Sequence, residues 1–365
     1  MTDQRAPGEP VRSSRVERAS ASRRLRGVVW GVVAALVVAA VGWYLVGRGD
    51  DPPAAADDMG AGQPAPEAST LLALQVNGAP APMLAVIGVP GDGEPFLMPL
   101  STELTVTMPG QGETSMAGVA ALPGDSMRVA LSNMSGVWIE HFAVLTLRDI
   151  AAAVDAAGGL AVNLPASYPT TTDVLGPGEI TMTGSQVKSF LAGATDDAGV
   201  RWEILLTAML ADPIPLVTTP SVEADDGEAV NETVAAAGGA EVLTMPTERV
   251  TATIILPIYP SLDEMLSRRL DTPVPVSTIV QNGSGEPGVG EAVAVQIIPA
   301  GFRVVLSQNA QTFDLTHTDV FANGPDHEGE ARAIKAALGV GRVRVAAVPS
   351  NVGDITIVVG KDFTA

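Results

Sequence analysis

The 365-residue chain has no cysteine, only three histidines and few aromatic residues (4%). Without cysteine there can be no disulfide framework, thiolate zinc site or Cys nucleophile. His141, His317 and His327 lie far apart in sequence, which argues against a His-rich metal site or a His relay. With so few rings, the cores must be built from Val, Leu, Ile and Ala, and the 46% hydrophobic content supplies them. Lysine is scarce too: Lys188, Lys335 and Lys361 are the only three, and the other basic residues are Arg.

Acid is plentiful. There are 41 Asp and Glu against 21 Lys and Arg, a formal net charge of −20. The charge divides sharply along the chain. Residues 1–48 carry eight Arg and three acids, net +5, whereas residues 49–365 carry 13 basic and 38 acidic residues, net −25. A body at −25 does not track a phosphate backbone, so nucleic acid is excluded as its partner. Between the two parts, Val28–Val46 holds no charge over 19 positions, about 28 Å of helix against a hydrocarbon core of ~30 Å. Arg23, Arg24 and Arg26 crowd its N-terminal side, and Trp43 and Tyr44 sit near its other end, where amphipathic rings prefer the interface. The expectation is a basic cytoplasmic tail (1–26) and a transmembrane helix (27–47), with the bulk of the chain extracytoplasmic. This makes a single-pass protein of the cell membrane. The alternative, a cleaved signal peptide, fits less well: the apolar run is too long and no clear small-x-small site follows it. Gly27 and Gly31 form a G-x-x-x-G at the membrane edge, which reads more simply as two Gly of a Gly-rich chain than as a dimerisation face.

Residues 48–69 are Pro, Ala, Asp and Gly with almost nothing to bury, and read as a disordered linker. Asp212–Gly239 is a second weak stretch with an acidic run, Glu223–Glu232. It lacks the D-x-D-x-D-G spacing of a calcium loop, so no metal is expected there. Asp271–Pro275 marks a junction before the last 90 or so residues.

Residues 70–270 read as one α/β domain. Strand signals occur at Val76, Met83–Val89, Leu104–Met108, Met127–Leu131, Leu160–Leu164 and Val250–Leu256, the last a buried-strand run. Helical spacing occurs at Val144–Ala157, stopped by Gly158-Gly159, and at Ser185–Leu191 after Thr183-Gly184. Val200–Leu210 and Ser261–Leu270 are helical as well. In residues 275–365, strands are expected at Val276–Val280, Phe302–Leu306, Thr318–Ala322, Val343–Val348 and Ile355–Val359. Helices are expected at Glu286–Ile298 and Asp326–Leu338. This is a small βαββαββ-like α/β domain.

The stretch Met134–Pro165, MSGVWIEHFAVLTLRDIAAAVDAAGGLAVNLP, resembles the "TGI-x-IDHYV-x-VDF…LVDALGGV-x-V" core of the LytR-CpsA-Psr family. Met98–Gly112 sits where that family has "SIPRDT…IPG-x-G". Leu175–Leu210 is similar to "L-x-AG…L-x-G-x-QAL-x-Y-x-R-x-R…GR-x-x-RQQ". The resemblance implies a membrane-anchored protein outside the cell. It also implies an α/β sandwich that grips a polyprenyl pyrophosphate lipid and attaches glycopolymers to the cell wall. Residues 275–363, with "NGSG", "AGF-x-V" and the terminal DITIVVGKDF, resemble the C-terminal domain appended to LytR-type proteins, for which a cell-wall or partner-binding role is implied.

The family's catalytic residues do not carry over. Phosphoryl transfer is mostly charge positioning, with Arg on the pyrophosphate and Asp on Mg²⁺. Here the "PRDT" block reads Pro99-Leu100-Ser101-Thr102, the earlier "R-x-D" falls near Ala79 and Ala81, and the "R-x-R" falls near Phe190–Ala194. Only Arg201 matches, as the second Arg of "GR-x-x-RQQ"; the first falls on Ala198. Arg201 has a structural alternative, an ion pair with Asp196, Asp197 or Glu203. His141, in the "IEHF" strand, has no second His or nucleophile partner and reads as a packed or hydrogen-bonded residue.

Gly283-x-Gly285-x-x-Gly288 follows a strand and opens a helix, but the next strand ends in Ser307-Gln308-Asn309 with no acid for a ribose. Asn282, Gly283, Ser284 and Gly285 remain as a candidate anion or partner loop, against a plain turn that needs Gly at positive φ. The resulting expectation is a degenerate LytR-CpsA-Psr-like pseudoenzyme of the cell envelope, acting as a non-catalytic scaffold or binding protein in cell-wall or glycopolymer assembly. The alternative is a phosphotransferase. No cofactor and no metal are expected. The partners implied are the membrane, cell-wall polymer, polyprenyl lipid or envelope proteins.

Overall fold

The computed structural model describes residues 69–78, 82–219, 222–346 and 352–364. The anchor, the tail, nearly all of the linker, and Ala79 and Ala81 lie outside the described residues. Among the described residues no helix is long and apolar enough to cross a membrane. They all fall in one compact unit.

The chain opens with β1 (Thr70–Asn77), β2 (Met83–Val89) and β3 (Phe96–Leu100), followed by a small hairpin of β4 (Thr105–Met108) and β5 (Gly112–Ser115). Then come α1 (Met116–Val119), α2 (Gly124–Ser135), β6 (His141–Thr146), α3 (Leu147–Ala156) and β7 (Leu160–Leu164). Next are the two-residue strands β8 (Tyr168–Pro169) and β9 (Val174–Leu175), β10 (Gly178–Met182), α4 (Gly184–Ala192) and α5 (Ala198–Ala211). β11 (Glu223–Ala224), α6 (Gly227–Ala236), β12 (Glu241–Val242), the hairpin β13 (Thr247–Arg249) and β14 (Ile255–Pro257), and α7 (Tyr259–Leu270) complete this part.

Six strands form one mixed sheet in the order β11-β6-β1-β2-β3-β12. Its central strand β1 is buried from Leu71 to Val76, as befits a strand covered on both faces. Leu72, Leu74 and Val76 point into a core closed by α3, α4, α5 and α6. Leu71 and Ala73 point the other way, into a core closed by α1, α2 and α7. The result is a three-layer α/β sandwich.

Four local expectations need correcting. Met127–Leu131 is helical, not a strand. Met127, Ala130, Leu131 and Met134 are all buried at one-turn spacing, so the period is 3.6 rather than 2, and Gly136 at φ 73° ends the helix. Val144–Thr146 belongs to β6, because Thr146 is the N-cap of α3 in a reciprocal capping box with Asp149. Val250–Leu256 is no buried strand. Val250 and Ile254 are exposed near the tip of the β13–β14 hairpin, where two β-branched runs meet solvent. The weak acidic stretch contains α6, which Asp226 caps through the amides of Glu228 and Ala229 and which buries Val230 and Val234.

The last part forms a five-stranded sheet of β15 (Val276–Asn282), β16 (Phe302–Asn309), β17 (Asp319–Ala322), β18 (Arg342–Val345) and β19 (Ile355–Val359), ordered β16-β15-β19-β17-β18. Helices α8 (Val289–Ile297) and α9 (Glu328–Leu338) pack on one face of it. The βαββαββ order is as expected, with α8 starting at Val289 rather than Glu286 and β18 closing at Val345.

The two parts are welded together. Val129 of α2 sits in the core of the C-terminal sheet. The Asn133 carboxamide donates to Val304 O (2.9 Å) and accepts from Val304 N (2.7 Å), so a side chain pairs the open edge of β16 as a neighbouring strand would. Arg303 forms a bidentate pair with Asp263 (2.8 and 2.5 Å) at 4% and 8% exposure, stacked 4.5 Å from the Tyr259 ring centroid.

Candidate functional site

Arg201 lies one turn into α5. Its Nε donates to Asp197 Oδ2 (2.8 Å), and its Nη1 donates to the carbonyls of Pro169 (2.7 Å) and Phe190 (2.5 Å). The guanidinium lies between the rings of Tyr168 (5.3 Å) and Phe190 (5.0 Å). Arg201 is 1% exposed. Burial opposes the Asp197 charge, but hydrogen bonds from Arg201 and the Thr195 amide, together with the Arg201 charge, hold its pKa below the ordinary carboxylate value. The guanidinium is therefore turned inward as a structural ion pair that ties three segments of chain, and it presents no face to a ligand.

The other positions that correspond to the family's motifs offer no replacement. Leu100 is buried at 6% in the core beneath the sheet, and the Ser101 hydroxyl accepts from the Glu103 amide (3.3 Å). A hydroxyl and an alkyl chain do not make the carboxylate set that Mg²⁺ prefers, so the family's metal does not fit at this position. Among the described residues no group of three His, Asp or Glu converges on a common point. The "R-x-R" counterpart begins at Phe190, which is fully buried. Together with Val187, Leu191, Trp202 and Leu205, it fills the space beneath Leu72, Leu74 and Val76. Among the described residues the interior here is packed side chain.

Above Arg201 the surface is polar. The turn between β8 and β9 is locked by Thr170, whose N donates to Asp173 O (2.7 Å) and whose Oγ1 accepts from Asp173 N (2.8 Å). The turn docks on α4: Thr171 Oγ1 and Thr172 Oγ1 lie 2.7 and 3.3 Å from Ser189 Oγ. At Gly193, which caps α4, a Cβ would come within 2.6 Å of Pro169 O and Thr170 Cα, so glycine permits the close approach. Between turn and helix lies a cleft of about 290 Å³ lined by Thr171, Thr172, Ser185, Gln186, Lys188, Ser189 and Ala192. A smaller recess of about 110 Å³ adjoins it at Asp173 and Leu175. Sequence reasoning missed this cleft. Its signal was the T-T-T-D turn followed by polar or small residues at 185, 188, 189 and 192, the helix face opposite the buried 187, 190 and 191.

The candidate loop at Asn282, Gly283, Ser284 and Gly285 is closed upon itself. Asn282 Oδ1 accepts from the amides of Ser284 (3.1 Å) and Gly285 (3.0 Å) and from Ser284 Oγ (3.0 Å). The Gly283 amide donates to Val359 O (2.9 Å). The amides that would receive an anion already have an internal acceptor, and Gly285 at φ 82° is the turn residue that needs glycine. His141 is paired with Asp225 (3.2 Å) beside Arg128, a hydrogen-bonded surface residue. The structure keeps Arg201, the 282–285 loop and His141 on separate elements.

Sequence comparison finds a match, and it falls on the C-terminal sheet and its two helices. Residues 276–363 match the family model of the LytR cell envelope-related transcriptional attenuator. The match thus covers all of β15 to β19. No curated protein matches the chain. Solved structures similar to it include TagV of B. subtilis, at 13% identity over 56% of this chain and 98% of that one, TM-score 0.47. A transcriptional regulator from Enterococcus faecalis has 12% identity over 57% and 89%, TM-score 0.47. The LytR-CPS2A-psr family protein YwtF (TagT) with bound octaprenyl pyrophosphate lipid has 13% identity over 57% and 92%, TM-score 0.44. With these TM-scores below 0.5, the likeness stands as similarity alone.

Proposed function

We propose that the chain is a membrane-anchored, extracytoplasmic envelope protein that acts as a non-catalytic scaffold or binding protein in glycopolymer assembly. In this reading residues 70–270 are a LytR-CpsA-Psr-like sandwich that has lost phosphotransferase chemistry, and residues 275–365 are its fused LytR C-terminal domain. One observation carries the reading. The single cation that matches the family's pattern, Arg201, is spent on Asp197, two carbonyls and two rings. A pyrophosphate needs several converging charged donors, and neither Leu100, Ser101 nor Phe190–Ala194 supplies a cation. The net charge of −25 over residues 49–365 adds repulsion.

The test is a transfer assay with a polyprenyl-pyrophosphate-linked glycan donor, a peptidoglycan acceptor and Mg²⁺, using the full chain. The expected outcome is no transfer above background. Turnover by the full chain would overturn the reading and restore the phosphotransferase alternative.

A further inference from the structure

We propose that the cleft between the β8–β9 turn and α4 is a binding site for an uncharged saccharide. The inference rests on the envelope reading above and names the ligand class of its binding function. Five of the cleft's seven lining residues, Thr171, Thr172, Ser185, Gln186 and Ser189, carry side chains that can both donate and accept. Thr171, Thr172 and Ser189 form a hydroxyl chain whose proton direction is free to reverse, and Ser185 and Gln186 also line the cleft. Sugar hydroxyls are donors and acceptors in the same way, so each contact can be satisfied in either sense.

The cleft is also held rigid before any ligand arrives. Thr170 locks the turn onto Asp173, Arg201 anchors Pro169 from beneath, and Gly193 lets the turn sit against the helix cap. Preorganised polar groups cost less ordering on binding. The buried Arg201 thereby has a role in this chain: it supports the floor of the cleft and does not touch its occupant.

Charge selects the class of ligand. Lys188 and Asp173, on the cleft and its adjoining recess, are the only charged residues in the two linings and cancel each other. The surrounding chain is strongly acidic. A polyanion would meet one cation in a repulsive field, whereas a neutral polyol meets no such penalty.

The experiment uses the full chain in lipid nanodiscs and saturation-transfer NMR, with linear trisaccharides of glucose, galactose and arabinose as neutral probes and a glycerol-phosphate trimer as the anionic one. Saturation transfer to at least one neutral trisaccharide and none to the phosphate trimer is expected. Ala192→Trp fills the cleft without removing a polar group, and Ser189→Ala removes the shared hydroxyl. Each should weaken binding at least about tenfold, with circular dichroism confirming the fold. Absence of transfer to all three neutral probes would overturn the proposal. So would undiminished binding in both variants, or preference for the phosphate trimer. Any of these results beside an inert transfer assay removes the saccharide site and leaves the non-catalytic reading standing. Turnover in that assay removes the reading itself.

Discussion

Arg201→Ala separates a structural from a chemical role. The change strips donors from the Pro169 and Phe190 carbonyls, leaves Asp197 without its cation and opens a gap between two rings. Asp197 is a third exposed and can turn to water, which discounts the loss. The expected cost is about 2–4 kcal/mol, below the usual penalty for breaking a fully buried pair, and it is measured by urea unfolding. A cost under about 0.5 kcal/mol would mean that the guanidinium is not holding the hairpin. Glu140 makes a pH-dependent case. Burial raises its pKa from 4.5, against a hydrogen bond from the Leu71 amide and the charges of His141 and Arg128. The folded state therefore holds this proton more tightly than the unfolded state does. Stability falls as pH rises from 4.5 through the raised folded value, and the penalty is complete above it. Glu140→Gln keeps an acceptor for Leu71 without the charge. It should stabilise the fold at neutral pH and flatten the pH slope above 4.5, as read by thermal melts at several pH values. Arg201 was legible as a candidate because its motif position is sequence-local. Its true partners were not, because Pro169 and Phe190 meet it only through the turn and α4.

Among elements, α8 and α9 each carry a glycine where helix propensity favours alanine by about 1 kcal/mol. At Gly329 of α9 a Cβ would meet nothing within 4 Å, so Gly329→Ala should stabilise by about 0.5–1 kcal/mol. At Gly290 of α8 a Cβ would come within 2.6 Å of Gly110 Cα and 2.7 Å of Gly110 N. Backbone cannot step aside as a side chain can, so Gly290→Ala should cost about 1–3 kcal/mol despite its better propensity. Paired denaturation curves check the opposite signs, and stabilisation by both would mean that α8 does not press on the Met108–Gly112 segment. The same contrast explains what could be read from sequence. β2, β7 and β19 keep their expected bounds because their apolar runs are short, complete and bracketed by turn residues. Thr183-Gly184 announced α4, and the structure adds Gln186 as the other half of its capping box. Val250–Leu256 failed for want of a partner: β-branched residues show strand propensity but not which surface covers them. Met127–Leu131 failed because five residues fit either period until Ala130 and Met134 are counted together.

At the scale of the molecule, the 271–275 junction suggests two bodies, yet Asn133, Asp263 and Arg303 hold the described residues as one. Nothing local signals this: an Asn inside a helix, an Asp on another and an Arg on a strand are each ordinary surface residues until the fold brings them together. The energetic consequence is coupling. Asp263→Ala leaves the Arg303 guanidinium at 4% exposure with its bidentate partner gone, a loss of about 3–5 kcal/mol. If the interface were a loose contact between independent domains, that loss would appear only in local opening around α7 and β16. If the sheets unfold together, it lowers the protection of every core strand alike. Hydrogen exchange in the full chain reads the difference directly. Protection of the amides of β2 and of β19 should correspond to one shared opening free energy, and Asp263→Ala should reduce both by the same amount. Replacing the pair with Leu at 263 and Met at 303 should recover much of the loss, since a packed apolar pair removes the unpaired charge. Separate opening energies for β2 and β19, with only β19 sensitive to the change, would show that residues 276–363 fold on their own account. They would then be free to move against the sandwich.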